Sequence, residues 1–420
     1  MKILVFSRSV WDTTNAVGNT FSNWFDGKAW SSDSFYSIYM RNSMPQNDVC
    51  KDYYRITIGS ILKNFLTPSK IGFRFQLDSD YLKIDSSSEE KAIVGLHKKP
   101  SNIKYFLMEK LLNSATWNNK RFRDYLKQID PDIFFATAAD DGVLKRIVET
   151  VKTNTKAKVV LYIADDVYNK YLKLPKYRGR MLTKNFEWLM KNADYLYGAS
   201  TDLCNAYHVL FNVPVNVIYK GCLFCPLKKD RIVSKKQKRI IYAGNLKYGR
   251  LSILIEFALR LMAFNDKNDT SFVLEVYTGD IWDEKSIDGI TSIKMMGKRP
   301  YHEIRNIMSD SDFSLHVESF DEKQIEYVHY SFSTKIIDCL QSGSGLIAIG
   351  PSELSSIKYL KGIPGCLVCD KLDKLDDLIE NIYSLDYKKS ILQIRDYALE
   401  HHNLEIIQSD IRESFCSLIK

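Results

Sequence analysis

The sequence predicts an α/β protein with two doubly wound parallel sheets, each covered by helices on both faces. Short β-branched and aromatic runs alternate with longer segments in which apolar residues recur every three or four positions. This order of strand, helix and strand is typical of parallel sheets. The pattern begins again after residue 236 in a chain of 420 residues, a length that suits two or three domains. We therefore expect two domains that face a cleft, where the carboxyl ends of their strands meet and ligands bind.

The predicted strands are short apolar runs, and the predicted helices lie between them. Strands are expected at residues 3–6, 133–138, 159–164, 195–200, 215–219, 239–244, 272–279, 313–317, 345–350 and 365–368. Two clear amphipathic helices are residues 251–264 and 301–308.

The restart of the pattern sets the expected domain limits. The first domain covers residues 1–220, a linker covers 221–237 and the second domain covers 238–395. A last helical segment, 396–420, is expected to pack back on the first domain. Asn, Ser and Lys are frequent at residues 40–125, so we expect an insertion in the first domain there.

Composition narrows the class of protein. Apolar residues make up 45% and charged residues 26%, which is globular, and no apolar run approaches the roughly 18 residues that span a bilayer. Eight cysteines are too sparse for a disulfide scaffold, so we expect reduced thiols and a cytoplasmic location. The net charge of +8 suits a phosphorylated or nucleotide-bearing ligand, or contact with an anionic membrane face. The basic run 228–239 is either a solvated linker or a weak membrane contact, and we expect no nucleic-acid partner.

Several common nucleotide-binding and metal-binding motifs are absent or weakly supported in this sequence. The glycine spacings of the dinucleotide fingerprint and the P-loop are absent. Asp-x-Asp triplets at 78–80, 130–132 and 310–312 have the spacing to hold a divalent cation, but chance and helix capping are the favoured explanation. Two Cys-x-x-Cys pairs, at 222–225 and 366–369, leave a zinc or redox site open. The second pair lies in a predicted strand, where residues three apart face opposite ways, so we expect no metal.

The most informative stretch is 331–351, SFSTKIIDCLQSGSGLIAIGP. Ser333 and Thr334 are predicted to cap a helix that stops before a buried strand. Free N–H groups and the charge of Lys335 at the helix start would favour a diphosphate. Asp338 follows Thr334 by one turn, so its carboxylate can accept both hydroxyls of a ribose. The alternative is a capped helix whose Lys and Asp are merely solvated.

This motif resembles the C-terminal nucleotide-sugar motif of GT-B glycosyltransferases, and most closely the family 4-like enzymes of bacterial surface-polysaccharide synthesis. The resemblance is carried by S-x-S-T-K-x-x-D-x-L-x-x-G followed by a strand that ends in Gly-Pro. It covers the second domain well and the first only loosely. It implies two Rossmann-like domains, a ribose contact for Asp338, and diphosphate contacts for Ser333, Thr334 and Lys335.

Two further loops of the second domain fit the resemblance. Gly244, Asn245 and Arg250 follow the first strand of that domain, where the family clamps the donor diphosphate; a surface arginine is the alternative. Gly297 and Lys298 match the loop whose backbone reads the base, or form an ordinary loop.

The first domain supplies two candidates. Gly18, Asn19 and Thr20 follow the first strand and precede the aromatic segment FSNWF, where the family's glycine-containing loop approaches the donor sugar or the acceptor. Asp165 and Asp166 follow the strand VVLYIA and are candidates for acceptor or catalytic contact, with helix capping as the rival explanation.

One departure concerns the catalytic acid. Retaining family 4 enzymes carry Glu-x7-Glu, but the residue eight before Asp338 is Tyr330. Glu318, displaced by an insertion, is our candidate for the first acid, and Asp321 and Glu322 are alternatives. Retention and inversion of the anomeric centre therefore both stay open, as do the sugar, the base and the linkage.

The resemblance implies a hexosyltransferase that needs neither a metal nor a separate cofactor. Its substrates would be a nucleoside-diphosphate sugar and a saccharide or lipid-linked saccharide acceptor in cell-surface polysaccharide synthesis, with peripheral contact at the inner face of the cell membrane. The rivals are a nucleotide-sugar epimerase on the same fold, which would convert its donor without an acceptor, and a non-catalytic sugar-nucleotide-binding protein.

Overall fold

The computed structural model describes residues 1–41, 43–57, 59–61, 71–77, 101–114, 119–139, 142–224 and 234–420. The chain forms two compact units, which we call the first and second domains. The first domain is Met1–Tyr219 with Glu405–Lys420, and the second is Lys220–Leu404. Of the predicted linker, residues 221–224 and 234–237 fall in the second domain, and 225–233 lie outside the described residues. The predicted C-terminal segment 396–420 is divided between the two domains after Leu404.

The first domain is built on an eight-stranded sheet of order β4-β3-β2-β1-β5-β6-β7-β8. All its strand pairs are parallel except β3 with β4, which is antiparallel. The strands are Lys2–Ser7 (β1), Ser34–Tyr39 (β2), Asp52–Arg55 (β3), Phe73–Gln76 (β4), Ile133–Thr137 (β5), Lys158–Ile163 (β6), Tyr195–Gly198 (β7) and Asn216–Val217 (β8). Strands β3 and β4 come from the predicted insertion at 40–125, of which residues 78–100 lie outside the described part.

Amphipathic helices cover this sheet. They are Ala16–Phe25 (α1), Asn102–Leu112 (α2), Lys120–Ile129 (α3), Val143–Asn154 (α4), Val167–Leu172 (α5), Lys176–Asn192 (α6) and Thr201–Phe211 (α7). Helix α3 shows the pattern plainly, because Phe122, Tyr125, Leu126 and Ile129 are buried at spacings of three and four while the charged residues between them face outward.

The second domain has a six-stranded, wholly parallel sheet of order β11-β10-β9-β12-β13-β14. Its strands are Gln237–Ala243 (β9), Ser271–Tyr277 (β10), Ile293–Met295 (β11), Phe313–Val317 (β12), Gly345–Ile349 (β13) and Leu367–Cys369 (β14). Strands β12 and β13 are buried at every position, as expected for a sheet covered on both faces.

The helices of the second domain pack on both faces of its sheet and form two apolar clusters. They are Arg250–Asn268 (α8), Tyr301–Ser309 (α9), Glu322–Val328 (α10), Lys335–Gln341 (α11), Ser355–Lys361 (α12), Leu375–Ser384 (α13) and Tyr387–His401 (α14). The architecture confirms the predicted fold of two doubly wound parallel-sheet domains.

The last helix, Leu404–Ile419 (α15), places most of its length in the first domain. The Gln408 amide donates to the carbonyl of Asn23 (2.7 Å), and Arg412 Nε donates to Asp33 Oδ2 (2.7 Å). The Phe415 ring lies 5.8 Å from the Trp30 ring. These contacts pack α15 against α1 and the segment that follows it.

Within the described ranges, none of the helices combines the length and the apolar character that crossing a membrane requires.

Candidate active site

The residues predicted to bind the donor lie in loops that follow neighbouring parallel strands of the second domain. Gly244 and Asn245 follow β9, Gly297 and Lys298 follow β11, and Glu318 follows β12. Carboxyl ends of neighbouring parallel strands share one edge of the sheet, and α11 begins at that edge because it lies between β12 and β13 in the chain. The structure therefore gathers these predicted positions at one edge.

Helix α11 differs from its prediction at its start. It begins at Lys335, and Thr334 at the cap position has helical φ and ψ and makes no side-chain cap hydrogen bond. The expected cap by the Thr334 side chain is therefore wrong, because a helical Thr334 keeps its hydroxyl away from the first-turn N–H groups. The helix has only seven residues, so most of the positive charge at its start comes from the Lys335 side chain.

Lys335 is held against the loop that follows β9. A Cβ added to Gly244 would collide with Lys335 Nζ, so the glycine leaves the space that the ammonium occupies. Burial lowers the pKa of Lys335 to about 8, helped by the positive charge of Arg250 and opposed by Asp338 and Glu318. A poorly solvated ammonium in this position favours the approach of an anion.

Asp338 lies one turn after Lys335 and is fixed by two neutral donors. The Tyr301 hydroxyl donates to Asp338 Oδ1 (2.6 Å), and Gln341 Nε2 donates to the same oxygen (3.2 Å). Burial raises the pKa of Asp338, against the opposing charges of Lys220 and Lys335 and the Tyr301 hydrogen bond. Both bonds end on Oδ1, so neither of these two donors occupies Oδ2, an oxygen that can accept a bond from a ligand hydroxyl.

Arg250 and Glu318 form a buried ion pair. Arg250 Nη2 lies 2.9 Å from both carboxylate oxygens of Glu318, and the two side chains are 11% and 4% exposed. Arg250 Nη1 also donates to Asn245 Oδ1 (2.8 Å), which ties the loop after β9 to this pair. His316 Nε2 lies 3.3 Å from Glu318 Oε1.

This ion pair bears on the predicted role of Glu318 as the catalytic acid. Burial acts to raise the pKa of Glu318, but the neighbouring His316 ring and the Arg250 guanidinium outweigh it and lower the pKa below its ordinary value. Glu318 is therefore an ionised anchor for Arg250. Its predicted role as the catalytic acid stays a prediction to which this geometry lends no support.

The loop after β11 joins the loop after β10. Gly297 has φ +72°, in the left-handed region that favours glycine, and its carbonyl accepts a bond from Thr278 N (3.1 Å). Lys298 is exposed, and its stem passes beside Gly279. Tyr301, at the start of α9 shortly after this loop, bonds to Asp338. The contact of Gly297 and Lys298 with the base stays a prediction.

In the first domain, Gly18, Asn19 and Thr20 lie inside α1 and not in a loop before it. The helix starts early because Asn15 caps it, its Oδ1 accepting the Gly18 N–H (2.8 Å). Thr20 is buried and its hydroxyl donates to the Ala16 carbonyl (2.8 Å). Gly18 is required by packing, because an added Cβ would collide with the Asp12 backbone.

Asp165 and Asp166 follow β6, as predicted. Asp166 caps α5 by accepting from Asn169 N (3.3 Å), and the Tyr207 hydroxyl donates to its Oδ1 (2.9 Å). Asp165 is exposed. These contacts favour the capping explanation for Asp166, and a role of either residue toward an acceptor or in catalysis stays a prediction.

In each of the two described acidic triplets, an Asp side chain accepts a hydrogen bond from the backbone of a strand. Asp132 Oδ2 accepts from Lys2 N (2.7 Å), and Asp312 Oδ2 accepts from Arg239 N (2.7 Å). The triplet at 78–80 lies outside the described residues, as does Cys225. Among the residues that the structure describes, no group of three or more His, Cys, Asp or Glu side chains is arranged to hold a metal ion.

Sequence reasoning missed three residues of this site. Tyr301, Gln341 and Lys220 act on Asp338. Gln341 follows Asp338 by three residues, so helical spacing could have identified it. Lys220 is 118 positions away in the chain (338 − 220), and only the fold shows its nearness.

Comparison with known proteins finds similarity in structure alone. No protein-family model matches the chain, and no curated protein matches it in sequence. Among solved structures, a sucrose-phosphate synthase from Thermosynechococcus elongatus matches with a TM-score of 0.62 and 11% identity, over 99% of this chain and 98% of that one. A glycosyltransferase from Rickettsia africae gives 0.59 and 13%, over 100% and 98%. A trehalose-6-phosphate structure from E. coli, bound with UDP-2-fluoro glucose, gives 0.58 and 12%, over 99% of both chains. The fold of this chain is that of the GT-B glycosyltransferases.

Proposed function

We propose that this chain is a glycosyltransferase that moves a sugar from a nucleoside-diphosphate sugar to a saccharide or lipid-linked saccharide in cell-surface polysaccharide synthesis. The observation that carries the proposal is the arrangement on α11, where a half-buried Lys335 and a braced Asp338 lie one turn apart. The fold supports it, because structures with this fold include one bound with UDP-2-fluoro glucose.

Lys335 and Asp338 would bind different parts of the donor. The Lys335 ammonium would contact the diphosphate, and Asp338 Oδ2 would accept from a ribose hydroxyl. Tyr301 orients the carboxylate by its bond to Oδ1, so the ribose meets one fixed acceptor. Because Gly244 has no side chain, the Lys335 ammonium can stay in the position from which it would contact the diphosphate.

The transfer step releases a nucleoside diphosphate, and negative charge grows on its leaving oxygen as the glycosidic bond breaks. Lys335 would stabilise this charge directly, which is worth about 3 kcal/mol for a well-placed donor. Arg250 would add to the positive potential, although Glu318 compensates much of its charge. We assign Glu318 the role of positioning Arg250, and the loop residue Asn245 helps to fix the same guanidinium.

The remaining loops are assigned by their place at the sheet edge. Gly297 and Lys298 would contact the base. The acceptor is assigned to the first domain, in which Asp165 is an exposed acid that follows strand β6. We propose peripheral contact of the enzyme with an anionic membrane, because a lipid-linked acceptor would be held there.

Thermal-shift measurements with a panel of nucleoside diphosphates and nucleotide sugars test the donor site. We expect one nucleotide series to stabilise the wild-type chain, with the shift lost in Lys335→Ala and Asp338→Ala. The matched control is Lys374→Ala with Asp377→Ala, an exposed Lys and Asp at the same spacing in the same domain, which should respond like wild type. No stabilisation of the wild type by any nucleotide would contradict the proposal.

A further inference from the structure

Two segments of the second domain pack against each other beside the donor site. One is the loop after β9, and the other is the segment that follows β12 and ends in α10. The ion pair of Arg250 with Glu318 joins them at one point. One residue earlier in the loop, a Cβ added to Gly249 would collide with the Ser319 side chain, so the loop backbone lies directly against the second segment.

This contact continues to a stacked pair of tyrosine rings. The ring centroids of Tyr248 and Tyr327 lie 5.1 Å apart, with an angle of 22° between the ring planes. Tyr327, near the end of α10, is 44% exposed, and Tyr248 is half-buried beneath it. The Arg250 guanidinium lies 5.5 Å from the centroid of the Tyr248 ring, so the stacked pair is in contact with the ion pair.

Tyr248 has a backbone conformation that favours glycine. Its φ is +59°, in the left-handed region, where a bulky side chain is uncommon. Residues held in such conformations are concentrated at functional sites. Glycine or asparagine would adopt this backbone more easily, yet the chain has an aromatic ring here and holds it between Arg250 and Tyr327. This cost to the backbone favours a role for the ring itself.

The tyrosine pair lies beyond the diphosphate end of the proposed donor site. On α11, Asp338 is assigned to the ribose and Lys335 to the diphosphate. The Lys335 ammonium lies against Gly244, and Arg250, at the other end of the same loop, is close enough to lower the pKa of Lys335. Tyr248 stands in that loop. Because a nucleoside-diphosphate sugar carries its sugar on the side of the diphosphate away from the ribose, the part of the donor nearest Tyr248 is the sugar.

The charge around the pair suits a neutral ligand with many hydroxyl groups. Helix α10 and its cap residue carry three exposed acids and one exposed base: Asp321, Glu322, Glu326 and Lys323. This excess of negative charge disfavours a further phosphate group or a nucleic-acid strand. A carboxylate accepts hydrogen bonds from hydroxyl groups, and an aromatic ring offers a flat apolar face to the C–H groups of a sugar ring.

We propose that Tyr248 and Tyr327 form an aromatic platform on which the pyranose ring of a saccharide stacks, either the sugar of the donor or a sugar of the acceptor. A nucleobase also stacks on aromatic rings, but the ribose contact of Asp338 would place the base at the other end of the donor. The inference deepens the proposed function and rests on it for the order of the donor's parts.

The platform depends on a segment that departs from the family spacing. Glu318 and Asp338 are separated by 20 positions (338 − 318), whereas the two acids of Glu-x7-Glu are separated by eight. Helix α10 lies in the additional length and supplies Tyr327. The extra residues therefore add a ring to the edge of the donor site.

Two binding measurements on the full chain test the platform. Calorimetry compares UDP-glucose, UDP-N-acetylglucosamine and GDP-mannose, each with its own nucleoside diphosphate. An array of neutral oligosaccharides measures saccharide binding without a donor. If the ring belongs to the donor, Tyr327→Ala should weaken nucleotide-sugar binding about fivefold and leave binding of the nucleoside diphosphate unchanged. If it belongs to the acceptor, Tyr327→Ala should lower the array signal about fivefold and leave both nucleotide affinities unchanged.

Three further variants show whether the aromatic face is responsible. Tyr327→Phe keeps the ring and should match wild type, whereas Tyr327→Leu keeps apolar bulk without the ring and should lose as much binding as Tyr327→Ala. The matched control is Tyr177→Ala in the first domain, because Tyr177 is 43% exposed and also contacts one ring, that of Phe106, at 5.1 Å. It should bind like wild type. Circular dichroism spectra like that of wild type show that each variant is folded.

Four results would overturn the inference. Tyr327→Ala could leave nucleotide-sugar affinity and the array signal both unchanged. It could weaken the nucleoside diphosphates as strongly as the nucleotide sugars, which would make the tyrosine pair only a support for Arg250. Tyr177→Ala could show the same losses. Wild-type protein could bind no oligosaccharide and gain no affinity from any donor sugar.

Failure of the proposed function has a different signature. A wild-type chain that binds oligosaccharides through Tyr327 but binds no nucleotide would contradict the donor site and leave the platform in place.

Discussion

Donor affinity should fall with rising pH because of one side chain, Lys335. Its pKa is lowered to about 8, chiefly by burial and then by the charge of Arg250. The diphosphate binds the protonated form. About half of the free protein carries the ammonium at that pKa and about a tenth carries it one pH unit higher, so the affinity should drop about fivefold between pH ~8 and pH ~9.

Calorimetric titration with a nucleotide sugar across this range measures the effect. A nucleotide sugar is suitable because its bridging diphosphate does not titrate there. Lys335→Arg is the decisive variant, since a guanidinium stays charged and should bind the donor with little dependence on pH. Below pH ~8, Lys335→Ala should bind about 10- to 100-fold more weakly than wild type, the loss of one charge-assisted hydrogen bond. The difference should shrink at higher pH, as the wild-type ammonium loses its proton.

Donor affinity and the free energy of unfolding should change in opposite directions as pH rises. A lysine whose pKa is lower in the folded state holds fewer protons there than in the unfolded state, so the free protein gains stability from this group as pH rises from about 8 to the ordinary lysine pKa. Donor affinity moves the other way. An affinity that is constant over this range in wild type, or that falls equally in Lys335→Arg, would refute the reasoning.

Three further substitutions have defined outcomes. Glu318→Ala leaves Arg250 buried without its counter-ion and should lower the free energy of unfolding by about 3 kcal/mol in denaturant titrations, whereas an unchanged midpoint would show that the pair is not formed. Gly244→Ala should displace the Lys335 ammonium and weaken donor binding about tenfold in calorimetry, with folding intact by circular dichroism. Tyr301→Phe removes the hydroxyl that braces the ribose-binding carboxylate and should weaken nucleoside-diphosphate binding about fivefold, while binding of pyrophosphate, which has no ribose, should be nearly unchanged; equal losses would contradict the ribose assignment.

The alternation of strands and helices was predictable from the sequence because it depends on local periodicity. Strands β12 and β13 are buried on both faces, so their runs are apolar throughout and stand out from their surroundings. Helix α8 was equally clear, as its apolar residues recur at helical spacing. Neighbouring residues carry this information, and no knowledge of distant contacts is needed.

The candidate site was predictable only in part. The positions of Lys335 and Asp338 followed from the spacing along one helix. The ion pair of Arg250 with Glu318 and the bond from Tyr301 to Asp338 join residues 68 and 37 positions apart, and their partners are chosen by the fold. In the first domain, Asn15 caps α1, so the helix begins at Ala16, five residues before the aromatic segment where it was expected to begin, and the predicted loop lies within the helix.

The central claim, that this chain transfers a sugar from a nucleotide donor, is tested most directly by following the nucleotide product. Wild-type protein is incubated with nucleotide sugars, with and without saccharide and lipid-linked acceptors, and the nucleotides are separated by chromatography. We predict that a nucleoside diphosphate is released when donor and acceptor are both present, and that Lys335→Ala abolishes this release. Conversion of the donor into a second nucleotide sugar, or an intact donor with every acceptor, would contradict the claim.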